Sequence, residues 1–308
     1  ESGQAILVLH LHDRKRYAES IPILRGLIDL RADAVQYRAQ LMIAYFQTRD
    51  PDKLRRTLTA ADKYFHEGNR WQEGNLAGLA RACVDTSLNE EAVKYYAELI
   101  PLRNRVLNGR VTGDGTLSEY YRQLALAQGG LGRTVEAVDA ASGSIVVWGQ
   151  DQVNRNNAVE VLKQVLRQAP DLEKYAAYLD KQAADNGVEN PIVRKALGQV
   201  HLEKNNPTAA IRHLAVALEV QPNDRETHEA IVSAYDLLKD GTGAVRQVLA
   251  ATELSRRDIA LYENLGNRYL ALGDKGQAER AYLSIAEALP DESESHALLA
   301  GIRQRQDR

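Results

Sequence analysis

The chain has 308 residues, 44% of them hydrophobic and 26% charged, the balance of a globular protein and not of a disordered one. A total of 39 Lys and Arg against 42 Asp and Glu gives a net charge of −3, which argues against a dedicated nucleic-acid binder. A single Cys excludes an intrachain disulfide framework and a Cys-rich zinc site, and the longest apolar run, Leu41 to Phe46, is far too short to span a membrane. The chain opens on Glu1-Ser2-Gly3 and not on Met, so we expect a piece of a longer protein whose leader or neighbouring domains lie outside it. The lone Cys fits a reducing cytoplasm, our expected compartment, and fits a disulfide-free exported protein equally.

A period of 34 residues organises the chain. Frames starting at Glu1, Val35, Glu73, Ser118, Pro191, Arg225 and Ile259 place Leu7, Leu41, Leu79, Leu124, Leu197, Ile231 and Leu265 at position 7. Position 20 reads Ser20, Leu54, Ala92, Ala137, Ala210, Ala244 and Ala278; small residues there let two helices approach closely. Each frame reads as two helices, with apolar residues at helical spacing on either side of a breaker such as Asp50-Pro51, Gly130 to Gly132, Asn205-Asn206-Pro207, Asp240-Gly241 or Gly273-Asp274. In chain order the expected units are 1–34, 35–68, 73–106, 118–151, a divergent pair over 152–190, then 191–224, 225–258 and 259–292, closed by a capping helix over 293–308.

The interruptions carry as much information as the matches. Asn69 to Gln72 is a short insertion, and 107–117, with three Gly, is expected to form a loop at the groove's edge. The divergent segment should run as a helix to about Arg167, break at Ala169-Pro170-Asp171 and resume as a helix ending near Asn186-Gly187; it is either an eroded repeat or a joint. Asn190 before Pro191 combines an N-cap with proline at the first helical position. At the C-terminal end Leu298, Leu299 and Ile302 should turn inward, leaving a polar outer face and a polar tail. Ala5 to Leu9 is apolar all round, which suits a helix covered on both sides by a preceding repeat or a second copy.

Tyr262-x-x-Leu265-Gly266-x-x-Tyr269, followed by Ala278, Tyr282 and Pro290, resembles the tetratricopeptide repeat signature, with Tyr in place of its first Trp and later Phe. The unit from Pro191 keeps Leu197, Gly198, Ala210, Ala217 and Pro222 but has Arg194 and His201 at the two aromatic positions. The resemblance implies an all-α fold: a right-handed α-solenoid of antiparallel helix pairs, about eight repeats, whose first helices line a concave groove. In that family the groove is lined by positions 2, 5, 6, 9, 12 and 13 of the first helix. Carried over, these nominate Gln40, Arg81, Arg122, Gln123, Lys195, Gln199, Glu229, Ser233, Asp236, Glu263, Asn264 and Asn267. The family's two-carboxylate clamp for chaperone tails would fall on Lys195, Gln199, Ala230, Ala260 and Asn264, of which only Lys195 matches.

Chemistry-bearing motifs are weaker. His228-Glu229-Ala230-Ile231-Val232 starts like a zinc-protease HExxH but has Val at the second His position. His10 and His12, two apart on a helix, point in different directions. Gly129 to Thr134 lacks the first Gly and the Lys of a phosphate loop, and a helix-helix turn needing positive φ accounts better for its glycines. Cys83 falls at a packed position and reads as a structural thiol. We therefore expect no enzyme, no cofactor and no metal. The expected function is a scaffold binding a protein or peptide segment of mixed charge, with two alternatives: an accessory domain of an enzyme lying outside the chain, or a small-ligand sensor with 107–117 as a lid.

Overall fold

The computed structural model describes residues 2–67, 72–149, 151–187 and 189–305. Its 17 described elements are all helices, and none is long and apolar enough to cross a membrane. They fall into two compact units, one ending at Asp171 and the other beginning at Leu172. The first holds α1 (Ser2–Asp13), α2 (Tyr17–Leu30), α3 (Val35–Gln47), α4 (Pro51–Glu67), α5 (Glu73–Asp85), α6 (Asn89–Leu107), α7 (Gly115–Gly130), α8 (Thr134–Trp148) and α9 (Gln152–Gln168). The second holds α10 (Leu172–Asn186), α11 (Pro191–Glu203), α12 (Pro207–Val220), α13 (Arg225–Leu237), α14 (Gly241–Leu254), α15 (Ile259–Ala271), α16 (Lys275–Ala288) and α17 (Ser293–Arg305).

Within the units helices pair as hairpins, α1 with α2, α3 with α4, α5 with α6, α7 with α8, α11 with α12, α13 with α14 and α15 with α16, and successive hairpins stack on one another. The division between units falls in the break at Ala169-Pro170-Asp171, inside the pair of helices that departs from the repeat. Every residue at position 20 is buried, none more than 4% exposed, so the two helices of each hairpin meet there. In α17, Leu298, Leu299 and Ile302 pack on Ala278, Tyr282 and Ile285 as a cap. The polar tail beyond Arg305, and residues 69–71 of the first insertion, lie outside the described residues. The 107–117 insertion is shorter than expected: α6 runs on to Leu107 and α7 starts at Gly115.

Among the described residues α1 is covered on one side only. Val8 and Leu11 are buried, with α2 as the neighbouring helix, while Ile6, Leu7 and Leu9 are 66%, 45% and 54% exposed. Leu7 occupies the position buried at Leu41 and Leu79, where the preceding hairpin packs against α3 and α5. No such hairpin for α1 lies among the described residues.

One turn recurs between the two helices of all seven matched frames. Lys15, Arg49, Ser87, Gly132, Asn205, Lys239 and Gly273, all at position 15, have positive φ. The next N–H reaches back to the carbonyl five residues earlier, as from Asp50 to Tyr45, Asp240 to Tyr235 and Asp274 to Tyr269. This is the Schellman closure of a helix C-terminus. Only two of the seven are glycine, so the other five are held left-handed by the packing of the hairpin. Of the glycines in Gly129 to Gly132, only Gly132 has positive φ; Gly129 and Gly130 belong to α7, which corrects the reading that a turn accounts for them all. A left-handed L-residue costs about 1–2 kcal/mol, of which glycine's greater chain entropy gives back part. Lys239→Gly, at φ 57 and exposed, should therefore stabilise the second unit by about 0.5–1 kcal/mol in urea unfolding, and Gly273→Ala, at φ 80, should destabilise it.

Candidate functional site

Seven of the twelve nominated side chains gather in two places, one in each unit. In the second unit α13, α14 and α15 enclose a cleft of about 190 Å³. Its wall is apolar, formed by Val232, Val248, Ala251 and Leu261, and four nominated residues, Glu229, Ser233, Asp236 and Asn264, stand at its rim. They meet because positions 5, 9 and 12 of one first helix face positions of the next first helix across the hairpin between them.

The rim carries both signs, and its charges are paired. Arg268 donates from Nη1 and Nη2 to the two carboxylate oxygens of Asp236 at 2.6 and 2.9 Å, and from Nε to Asn264 at 2.8 Å. Arg225 bridges Glu229 at 2.7 Å and Asp258 at 2.5 Å. Glu229 and Asp236 are thus matched by Arg225 and Arg268, which the groove positions did not nominate. His228 is fully engaged: Nε2 lies 2.8 Å from the Pro222 carbonyl and Nδ1 lies 2.6 Å from the Gln247 amide nitrogen. Both ring nitrogens are therefore taken by neighbours of the fold. Ser233 gives its hydroxyl proton to the Glu229 carbonyl at 3.0 Å. The one imidazole on the cleft therefore has no free nitrogen with which to activate the one hydroxyl.

The remaining nominees of this unit do not line the cleft. Lys195 is held by Asp224 and Glu226 at 2.8 and 2.7 Å, and Gln199 donates to Glu226 at 3.0 Å. The one clamp position that matched is therefore already occupied by carboxylates of its own chain. Asn267 accepts from the Tyr282 hydroxyl at 2.8 Å, and Glu263 is half-buried on α15.

In the first unit Arg81, Arg122 and Gln123 converge on Glu119, a residue not nominated. Glu119 accepts from Arg81 at 2.9 Å, from Arg122 twice at 2.6 Å and from Gln123 at 2.7 Å, while Arg81 also bonds Asp85 at 3.1 Å. Burial opposes ionisation of Glu119, but the bonds from Arg122 and Gln123 prevail and hold its carboxyl below the usual range. The cluster is a balanced set of two arginines and two carboxylates. Gln123 is 2% exposed and its carbonyl oxygen has no hydrogen-bond partner among the described residues, so it sits in the packing and not on a solvent-facing groove. Gln40 is half-buried on α3 and outside that cluster.

Two further sequence readings find their places. Cys83 is fully buried, and burial drives its thiol far above the ordinary range, which removes the thiolate a nucleophile needs. Between α6 and α7, Gly113 donates to the Val147 carbonyl at 2.7 Å, and Asp114 both caps α7 and pairs with Arg103 at 2.7 Å.

No protein-family model and no curated protein matches the chain. Among solved structures it is similar to the APC/C hetero-tetramer Cut9-Hcn1, at 15% identity over 96% of this chain and 54% of that one, with a TM-score of 0.34. It is also similar to the C-terminal part of a TPR repeat-containing protein from Cytophaga hutchinsonii, at 14% identity over 94% and 97%, TM-score 0.36. A third is YrrB, described as a TPR protein with an unusual peptide-binding site, at 17% identity over 80% and 98%, TM-score 0.33. The chain spans about half the length of the first of these. Similarity at these scores carries no argument about a site or a partner. The tetratricopeptide-like character of the hairpins rests on their own register: buried position 20, the left-handed position 15, and the stacking of successive pairs.

Proposed function

We propose that this chain is a non-catalytic scaffold that takes a protein or peptide segment into the cleft between α13, α14 and α15. The observation that carries the reading is the cleft itself, an apolar wall beneath a rim of paired charges and amides, with four groove-position residues on it. A cleft of about 190 Å³ suits one apolar side chain of an extended segment, with Asn264 and Ser233 placed to meet its backbone. Because the rim pairs Arg225 with Glu229 and Arg268 with Asp236, the partner that fits carries both signs of charge beside its apolar anchor. The engagement of both His228 nitrogens speaks for binding over catalysis. Neither alternative gains support: the 107–117 segment is tied to α6 and α8 by Arg103 and Val147 and has no mark of a lid, and nothing in the clefts points to a catalytic partner.

Selection of random peptides displayed on phage against the whole chain tests the proposal. Binders should share an apolar residue flanked by charge. Affinity should fall at least about tenfold, or about 1.4 kcal/mol, in Ser233→Arg and in Asn264→Arg, both exposed positions whose replacement leaves the hairpin packing intact. A selection that yields no saturable binder, or binders indifferent to both substitutions, would overturn it.

A further inference from the structure

The first unit has a second cleft, of about 350 Å³, which no groove position predicts. It lies between α2, α3 and α4, so two of its three walls are the second helices of their hairpins, whereas the α13–α15 cleft draws on two first helices. Arg25, Arg38, Lys53 and Arg56 line it, against one carboxylate, Asp29.

These cations are short of counter-charge. Lys53 bonds Asp50 at 2.6 Å, but among the described residues no carboxylate lies within ion-pair distance of Arg25, Arg38 or Arg56. Arg38 is the most telling. It is 8% exposed, donates from Nε and Nη2 to the Ala32 carbonyl at 3.3 and 3.1 Å, and lies over the Tyr64 ring at 4.8 Å. Arg194, at the same position of its own frame, is buried just as deeply but against two carboxylates, Glu189 and Asp180. A guanidinium taken out of water ordinarily has such a partner. Tyr45 adds a donor: its hydroxyl accepts from Arg25 at 3.0 and 2.6 Å and so keeps its own proton to give.

We propose that this cleft is a binding site for a phosphate monoester. Four cations against Asp29 in the cleft and Asp50 beside Lys53 leave two charges over, more than a single carboxylate ligand would neutralise, whereas a phosphate monoester brings nearly two negative charges at neutral pH and three acceptor oxygens. Guanidinium forks match those oxygens in pairs. Ile28, Leu41 and Ala60 complete the wall and offer apolar contact to the carbon side of the ester.

Titration calorimetry of the whole chain with phenyl phosphate, with a phosphoserine peptide and with inorganic phosphate tests this, using benzoate, the unphosphorylated peptide and a phosphodiester oligonucleotide as comparisons. Saturable one-to-one binding of a monoester is expected, at least about tenfold tighter than benzoate or, per site, the diester. Tighter binding of the phosphopeptide than of phenyl phosphate would identify a protein-borne phosphate as the source, and equal binding a small ester; both uphold the chemistry. Arg56→Gln should weaken binding about tenfold or more, while Arg55→Gln, the same charge change one residue away and off the cleft, should leave it within about twofold. Arg56 is exposed, so its loss does not endanger folding. Equal affinity for benzoate or oligonucleotide, equal effects of the two substitutions, or no saturable binding of any monoester would each overturn the proposal.

Discussion

Arg194→Ala should lower the stability of the second unit by about 3 kcal/mol, and by more than any other single exposed or half-buried charge removed there. The guanidinium is 2% exposed. Its Nε and Nη2 donate to the two oxygens of Glu189 at 2.8 Å each, and Nη2 lies 2.8 Å from Asp180. It fills the frame position that Tyr262 occupies in a later hairpin, so one planar group has been replaced by another that must bring its counter-charges with it. Removing one member of a buried ion pair costs about 3–5 kcal/mol. The lower end applies because the Asp180 side chain is 61% exposed and is not stranded when its partner goes, whereas Glu189, at 23%, is. Arg194→Met, which keeps much of the volume and drops the charge, should fall between. Urea unfolding followed by helical circular dichroism measures this, and an unchanged midpoint for Arg194→Ala would mean that the triad holds nothing together.

Acid should weaken the same unit through His213, and the loss should be under way well before its carboxylates titrate. His213 is 1% exposed and stacks on His201 with ring centroids 5.3 Å apart. Its Nδ1 lies 3.4 Å from Arg194 and its Nε2 3.2 Å from Arg212, so guanidinium groups face both ring nitrogens. Burial first, and then the charges of Arg212, His201 and Arg194, push its pKa down to about 4, with only Glu173 pulling the other way. His201 is lowered as well, chiefly by burial. The unfolded chain takes up its proton near the ordinary imidazole value of 6.5, while the folded chain resists until about 4. Between those two values the unfolded state holds more protons, so the stability present above pH 6.5 drains as the pH falls, by about 3 kcal/mol at most. His213→Phe keeps a flat ring in the stack and removes the titration, so its stability should vary much less over that interval. Parallel slopes for the two proteins would refute the assignment.

The hairpins were legible because packing repeats. Leu or Ile at position 7 and a small residue at position 20 recur wherever one helix pair meets the next, and the breakers mark the turns. What the pattern does not carry is conformation without a compositional signal. Lys15, Arg49, Ser87 and Lys239 adopt the left-handed turn through context alone, so no glycine marks the site. Nor does periodicity say whether a neighbour is present: Leu7 keeps its place in the frame and is exposed.

The site was half legible. Groove positions led to Glu229, Ser233, Asp236 and Asn264, which do line one cleft. They missed Glu119 and Glu226, although both stand at position 2, a groove position, and receive Arg81 and Gln199 from position 9 of the preceding first helix. Setting position 9 of each frame beside position 2 of the next would have found both. Arg268 escaped because it meets Asp236 across a repeat interval, which residue type alone does not announce, whereas Arg225 stands four residues before Glu229 on the same helix, a spacing that could have shown the pair. The basic cleft of the first unit was beyond reach for a different reason. Arg25 and Arg56 come from second helices, and the three walls meet only once the hairpins stack.

Residue-resolved mapping of a selected peptide on the isotopically labelled chain tests the central claim most directly. Amide shift changes should concentrate on α13 and α15 at Glu229, Val232, Ser233, Asp236 and Asn264, and should vanish for the same peptide with its apolar anchor replaced by Ala. Changes centred instead on the Arg81–Glu119–Arg122 cluster, or spread evenly over both units, would contradict the assignment of the α13–α15 cleft as the place where this scaffold receives its partner.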